Sequence, residues 1–402
     1  MNRKPKDLTS DLIRNKDHEK ITWDLILMVE HDDELKYLLN RAIKQAAESV
    51  KDRQTNPVYS LESFYAFLDR ISKAMPWQIC PDERYVSLYD RIDQGMGCFY
   101  FVSNQQLPEL KDKGYYSNSL IYHEPYRSWM IRFISEYGSY LSSEVSWCQE
   151  YYRNALANKD FHLDDDTYED PSNWKSFNDF FSRKLKDPSK RPIDPRSDVV
   201  VSTADSIPQG IWQIDEDNRV IDNGKEVAIK TGTLKDVASL LKGSKYAECF
   251  AGGKMSHAFL DINDYHRYHF PLSGMIKEAY VIRADATPSG LIIYDEEKQR
   301  YFEPTVGEYG WQSLETRGVV IMETDNGGYV AIVPVGICTV SSVNFEENVK
   351  PGNRVEKGDP LGYFLFGGSD IVMLFGKDLD FEFTAEKGKH LQMGQEYGRI
   401  KD

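Results

Sequence analysis

The spacing of hydrophobic residues divides the chain into a helical part and a strand-rich part. From about residue 20 to 160, apolar residues recur every three to four positions, as in residues 33–50 (DELKYLLNRAIKQAAESV) and 61–75 (LESFYAFLDRISKAM). The aromatic-rich stretch 128–157 continues this pattern. We predict helices here, and we expect the aromatic face of the third stretch to pack in a core rather than on a membrane.

After about residue 195 the pattern changes to short β-branched runs separated by turn residues, which predicts antiparallel strands and one short helix near residues 233–241. The runs cover residues 199–202 (VVVS), 280–283 (YVIR), 318–323 (GVVIME), 329–335 (YVAIVPV) and 337–343 (ICTVSSV). The acidic segment 164–172 (DDDTYEDPS) marks a loop and a boundary between the two parts. The predicted fold is therefore α+β, with a mainly helical region 1–165 followed by an antiparallel β-rich, barrel- or sandwich-like domain 172–402.

Composition narrows the classes of partner and compartment. A formal net charge of −15 argues against nucleic acid, because phosphate binding relies on clustered Lys and Arg. No apolar run reaches the roughly 18 residues that a spanning helix needs, and the first residues lack a secretory signal pattern. We expect a cytoplasmic protein whose membrane contact, if any, is peripheral. The five scattered cysteines predict neither a disulfide framework nor a zinc site.

Three stretches carry residues suited to catalysis. In residues 364–375 (FLFGGSDIVMLF), Gly367 and Gly368 indicate a bend or close backbone approach just before Ser369. Residues 264–271 (DYHRYHFP) hold two histidines in a loop or at a strand end, and no zinc spacing joins them to further ligands, so a metal site is not predicted. In residues 201–210 (VSTADSIPQG), a lone aspartate is ordinarily a turn cap.

Together these stretches allow a constellation in which Asp205 orients an imidazole, and that imidazole, of His269 or His266, removes a proton from Ser369. Each histidine alone is also compatible with an ordinary structural role. The chain has no GxSxG elbow, so the serine-hydrolase fold is not indicated.

The order of several motifs resembles the phosphatidylserine decarboxylase family of pyruvoyl-dependent enzymes. The resemblance covers about residues 172–385, and the helical first part is only loosely similar to the amino-terminal extensions of some members. The motifs are FNDFFSRKL (177–185) followed by Arg191-Pro192, Ala204-Asp205, DYHRYHFPLSG (264–274), VGICTVSSV (335–343), and KGDPLGYF (357–364) leading into Gly-Gly-Ser.

The resemblance implies autocatalytic cleavage between Gly368 and Ser369. His269, oriented by Asp205, would activate the Ser369 hydroxyl to attack the Gly368 carbonyl and shift the peptide to an ester. Elimination and hydrolysis would then convert the serine into a covalent pyruvoyl group. The products would be residues 1–368 and 369–402, the latter 34 residues long (402 − 368).

The resemblance also implies the reaction, that of a carboxy-lyase acting on an amine-bearing carboxylate. The pyruvoyl group would form a Schiff base with the substrate amine and accept the electrons released as carbon dioxide leaves. His266 is the candidate for handling protons at the substrate carbon. The favoured substrate is phosphatidylserine, which would be converted to phosphatidylethanolamine and carbon dioxide.

Two alternatives stay open. The Gly-Gly-Ser form resembles a branch that includes soluble aromatic amino-acid decarboxylases, which makes a tryptophan-like amino acid the second substrate. A function of another class is a non-catalytic binding protein that is never processed. Family members acting on phospholipid commonly show Gly-Ser-Thr, whereas Asp370 stands here after the serine, where its carboxylate would alter maturation or substrate choice. Oligomeric state, including a homodimer, is left open by the sequence.

A basic stretch, residues 183–196 (RKLKDPSKRPIDPR), bears on the lipid alternative. It is interrupted by Asp187 and Asp194, and we interpret it as a solvated connector rather than a membrane-binding patch.

Overall fold

The structure is a computed structural model that describes residues 18–80, 82–111, 113, 118–222, 225–226, 236–283, 292–302, 315–337 and 342–401. Its α-helices are α1 (Lys20–His31), α2 (Asp33–Ser49), α3 (Leu61–Ile71), α4 (Leu88–Phe101), α5 (Tyr126–Leu141), α6 (Gln149–Ala157), α7 (Phe177–Phe181) and α8 (Val237–Leu241). None of these helices has the length and hydrophobicity needed to cross a bilayer.

The helical region forms where amphipathic stretches begin at polar caps. The Asp32 side chain accepts a hydrogen bond from the Leu35 amide at the start of α2, and Ser60 caps α3 in the same way. The predicted third helix is divided into α5 and α6 by a 3₁₀ turn at Glu144–Ser146. The aromatic residues of α5 are buried in the core, as predicted: Trp129, Phe133 and Tyr137 are at most 1% exposed.

Four of the five runs predicted as strands lie in strands, and three of these strands are longer than predicted. Of the fifth run, residues 337–343, Ile337 ends a strand and residues 342 and 343 lie in none. The strands are β1 (Val199–Val201), β2 (Ile207–Ile214), β3 (Val220–Asp222), β4 (Lys225–Glu226), β5 (Lys254–Leu260), β6 (Arg267–His269), β7 (Gly274–Ile282), β8 (Ile293–Asp295), β9 (Arg300–Phe302), β10 (Thr316–Thr324), β11 (Tyr329–Ile337), β12 (Asn344–Phe345), β13 (Arg354–Val355), β14 (Pro360–Tyr363), β15 (Gly368–Phe375), β16 (Phe381–Phe383) and β17 (Glu396–Ile400). Parts of the predictions for 233–241 and 337–343 lie outside the described residues.

The main sheet is open and antiparallel, in the order β13-β7-β10-β11-β15-β5-β2-β3-β4. Along β15, Ile371 and Met373 enter one hydrophobic core and Val372 and Leu374 enter another, since side chains alternate between the two faces of a strand. The first core is shared with two small sheets, β12-β14-β6 and β1-β17-β16, and the second with α8. The α+β class is confirmed; the arrangement is a sandwich, and the barrel alternative is wrong.

A hairpin from the second half enters the helical region. Tyr301 in β9 is 2% exposed, and its hydroxyl donates a hydrogen bond to the Thr55 carbonyl at 2.9 Å. The side-chain amide of Gln94 in α4 donates to the Tyr301 carbonyl and accepts from the Tyr301 amide. Gly97 of α4 lies so close that a Cβ would stand 2.4 Å from the Tyr301 Cβ. The hairpin and the helical region therefore share a hydrophobic core. The domain boundary predicted at 165–172 separates the two parts along the chain and stays a prediction.

Candidate functional site

Ser369 lies at the start of a central strand. Strand β15 is paired on both sides, with Ser369 opposite Gly336 of β11 and Leu260 of β5. Ser369 is fully buried, and its Oγ makes no hydrogen bond to any described residue. Leaving a buried hydroxyl unpaired costs about 1–3 kcal/mol, which makes this atom a candidate for a chemical role.

The three residues before the glycine pair are held by successive backbone amides. Phe364 N donates to the His266 carbonyl at 2.9 Å, Leu365 N to Ser342 Oγ at 3.1 Å, and Phe366 N to Asn178 Oδ1 at 2.9 Å. Residues 364–366, called the scissile approach below, are therefore fixed by three different parts of the chain.

His269 is held in one tautomer at the end of β6. Its Nδ1 lies 2.8 Å from the Gly358 carbonyl, and its Nε2 lies 3.2 Å from the Tyr265 hydroxyl. A carbonyl oxygen can only accept, so Nδ1 carries the proton and Nε2 is the basic nitrogen. Burial lowers the pKa of His269, an effect that the Gly358 hydrogen bond and the charge of Asp205 oppose.

Asp205 does not hydrogen-bond His269. Its carboxylate accepts from Arg191 Nε at 2.9 Å, from Arg191 Nη2 at 2.6 Å and from the Met393 amide at 2.8 Å. The guanidinium is permanently charged and planar, which suits a carboxylate better than a neutral imidazole does. The predicted direct contact between Asp205 and His269 is thus absent, and the Gly358 carbonyl orients the ring instead. The turn-cap interpretation of Asp205 is also superseded by this buried ion pair.

His266 lies closer to the scissile approach. Its ring is fully buried and stacks on Phe181 with centroids 3.8 Å apart, and Phe181 meets Phe366 edge to face at 5.4 Å. Burial and then the positive charge of Arg183 lower the pKa of His266 well below its ordinary value, against a smaller opposing effect of the Asp264 backbone. Neither ring nitrogen makes a well-aligned hydrogen bond within the described part of the chain.

A pocket of about 420 Å³ opens beside His269 and Tyr265. Arg191 and Met393 also line it, whereas Ser369 and His266 do not. The structure thus places His269 and the Arg191 partner of Asp205 at the pocket, and His266 beside the scissile approach. No hydrogen bond joins His269 to Ser369.

Asp370 points away from the face that carries Ser369. Strand alternation puts it on the same face as Val372, where its Oδ2 lies 3.0 Å from Nε2 of His257 on β5. Both side chains are buried, and the contact has the distance of an ion pair without hydrogen-bond alignment. The sequence alone gave no sign of this partner.

The basic stretch 183–196 is not simply a solvated connector, because Arg183 and Arg191 are 0% and 6% exposed. Arg183 donates to the carbonyls of Asn263 and Asp264 and lies over the Tyr168 ring. The interpretation as a solvated connector is wrong for these two arginines, because the order of charges along the chain does not show which of them acquire buried partners. Within the described residues, no group of three or more His, Cys, Asp or Glu side chains is arranged to hold a metal ion.

Comparisons with known proteins agree on one family. The family model described as phosphatidylserine decarboxylase matches residues 177–399. A phosphatidylserine decarboxylase proenzyme of Brevibacillus brevis is 32% identical over 254 residues, which cover 59% of this chain and 84% of that protein. One from Fusobacterium nucleatum is 28% identical over 61% of this chain and 77% of its own length. Proenzyme 2 of rice (Oryza sativa) is 31% identical, over 55% of this chain and 32% of the rice protein.

Proposed function

The chain belongs to the phosphatidylserine decarboxylase family, and we propose that it is a proenzyme that cleaves itself between Gly368 and Ser369 to make a pyruvoyl-dependent carboxy-lyase. The observation that carries this proposal is the Ser369 hydroxyl, which is buried, unpaired among the described residues, and preceded by a glycine. A hydroxyl of this kind is suited to act as the nucleophile in the cleavage. The pyruvoyl group would then form at the same position.

The maturation chemistry follows from these two residues. Ser369 Oγ attacks the Gly368 carbonyl carbon, the C–N bond breaks, and the nitrogen of Ser369 takes up a proton, which leaves an ester. Loss of the Ser369 α-proton and of the Gly368 carboxylate gives a dehydroalanine, whose imine form is hydrolysed by water to pyruvoyl and ammonia. Gly368 has no Cβ to obstruct the attack on its carbonyl.

We assign the proton abstraction from Ser369 to His269. Its Nε2 is the unprotonated nitrogen, which accepts from the Tyr265 hydroxyl at 3.2 Å in the uncut chain, and burial keeps the ring neutral near neutral pH. Asp205 acts on this ring through its charge rather than through a hydrogen bond. His266 is the competing base, because it contacts the aromatic residues around the scissile approach, and the two assignments are separated by mutation below.

The two products are expected to stay together. Strand β15 would remain paired with β11 and β5, and β17 with β1. The Met393 amide in the small product would still bind Asp205 in the large one. These three strand pairings and one hydrogen bond favour a tight two-chain enzyme.

When present, the pyruvoyl group would bind the substrate through its amine and supply an electron sink as the substrate carboxylate leaves as carbon dioxide. His266 is fully buried and neutral, so one ring nitrogen can accept a proton as the other gives its proton to the substrate carbon, and no counter-ion is needed. Its stack on Phe181 fixes the plane of the ring.

We propose phosphatidylserine as the substrate and phosphatidylethanolamine as the product. Gly367 next to Gly368 favours a second candidate, a free aromatic amino acid such as tryptophan. The test is carbon dioxide release from phosphatidylserine in mixed detergent micelles and from tryptophan in buffer, with Ser369→Ala as the control. Activity on the lipid alone supports the first substrate; activity on tryptophan without detergent would replace it.

The predicted cytoplasmic location, with peripheral membrane contact, stays a prediction. Fractionation of cells into cytosol and membranes, with and without a salt wash, checks it. A chain that is never cut and releases no carbon dioxide from either substrate would instead support the binding-protein alternative.

A further inference from the structure

Asn178 of α7 connects the helical region to the scissile approach. Its Oδ1 accepts the Phe366 amide at 2.9 Å, and its Nδ2 donates to Ser142 Oγ, at the end of α5, at 2.8 Å. Asn178 is 2% exposed, so both ends of the amide are used in a dry environment. The backbone N–H of Phe366 can only donate, which fixes the orientation of the Asn178 amide.

Helix α7 is short, and local capping holds it. The Ser176 side chain accepts from the Asp179 amide at 3.1 Å, and the Asp179 carboxylate accepts from the Ser176 amide at 2.9 Å. The Phe177 amide donates to Ser146 Oγ at 2.9 Å, a second link to the helical region. The position of Asn178 is therefore fixed from both sides, by Ser146 of the helical region and by Arg267 of the sandwich, whose Nε donates to the Ser182 carbonyl just after α7 at 2.8 Å.

The aromatic residues of α7 restrain the same segment. Phe177 and Phe181 meet Phe366 edge to face, with centroids 5.3 and 5.4 Å away. Phe366 is itself fully buried. Its backbone is held by an amide hydrogen bond and its ring by two aromatic partners, all from one helix of five residues.

We propose that Asn178 is a positioning residue for self-cleavage, through which the helical region holds the scissile approach; this inference rests on the proposed function. Phe366 is two residues before Gly368, whose carbonyl Ser369 must reach. Intramolecular attack depends steeply on the placement of the reacting atoms, and a shift of about 1 Å can cost about a hundredfold in rate. Asn178 touches neither reacting residue and acts through the backbone of Phe366.

The test compares full-length variants made by cell-free synthesis, with the cut fraction followed over time by mass spectrometry. Asn178→Ala removes the acceptor and should slow cleavage about tenfold to a hundredfold. Asn178→Asp keeps an oxygen for Phe366 and lets Ser142 donate in return, so it should cleave close to the wild-type rate. Ser146→Ala is the matched control, since it also loses a buried hydrogen bond to α7 but none to Phe366.

Stability is measured separately by thermal unfolding of the same variants carrying Ser369→Ala, which cannot be cut. A positioning role requires that Asn178→Ala cleaves more slowly than Ser146→Ala at similar stability, and that Asn178→Asp restores the rate. Equal rates for Asn178→Ala and the wild type, or a rate that tracks stability alone, would overturn this inference and leave the proposed function intact. A wild-type chain that is never cut would overturn the proposed function and this inference with it.

Discussion

The ion pair between Arg191 and Asp205 is the most heavily buried charge pair beside the pocket, and removing one partner should be costly. Arg191 and Asp205 are 6% and 3% exposed, and three N–O distances of 2.6 to 3.1 Å join them. In Arg191→Met, the Asp205 carboxylate keeps only the Met393 amide. Stranding a buried charge in this way typically costs about 3–5 kcal/mol of folding free energy.

The assay is urea unfolding in the uncleavable Ser369→Ala background, so that a single chain is measured. Arg191→Met should lower the free energy of unfolding by about 3–5 kcal/mol, whereas Arg191→Met/Asp205→Leu should recover most of that loss, since both charges are then gone. A cost below about 1 kcal/mol, as for an exposed pair, would refute this reasoning. So would a double variant whose loss equals the sum of the two single losses, because that result would mean the two groups do not interact.

Three further predictions follow from the histidines and from Asp370. His269→Ala should leave the chain uncut, while His266→Ala should permit cleavage but lower carbon dioxide release; if His266→Ala alone abolishes cleavage, the two roles are exchanged. Burial lowers the folded-state pKa of both histidines from 6.5, so folding favours their neutral forms. The free energy of unfolding should therefore be at its full value above about pH 6.5 and should decrease as the pH falls below it. In the Ser369→Ala background, adding His266→Gln should flatten that decrease by up to about 1.4 kcal/mol per pH unit, and an unchanged slope would show that His266 is not neutral in the folded chain. Asp370→Asn should leave the ratio of lipid to tryptophan activity unchanged, because Asp370 faces away from Ser369; a changed ratio would place its carboxylate at the substrate.

The local pattern was sufficient where periodicity and burial coincide. Helix α2 and strand β10 lie within a residue or two of their predicted positions, since one face of each packs in a core. The break between α5 and α6 was not predicted, because Ser146 in the 3₁₀ turn accepts a hydrogen bond from the amide of Phe177, 31 residues further along the chain. The β8–β9 hairpin packs in the helical region through contacts more than 200 residues apart in sequence, which no local pattern encodes.

The candidate site shows the same limit. The resemblance singled out Asp205, His266, His269 and Ser369, and in the structure no side-chain hydrogen bond joins any two of these four residues. The pairing of Asp205 with Arg191 was not predicted, although both residues lie in the quoted motifs, because a motif records residue types and order but not which partners meet. Their catalytic roles stay predictions.

The central claim is self-cleavage at Gly368–Ser369, and an intact-mass spectrum of the purified protein under denaturing conditions tests it most directly. The account predicts two species, residues 1–368 and 369–402, with the small one carrying the mass of a pyruvoyl group in place of Ser369. A single chain near 46.4 kDa, or a small chain that begins with serine, would contradict it.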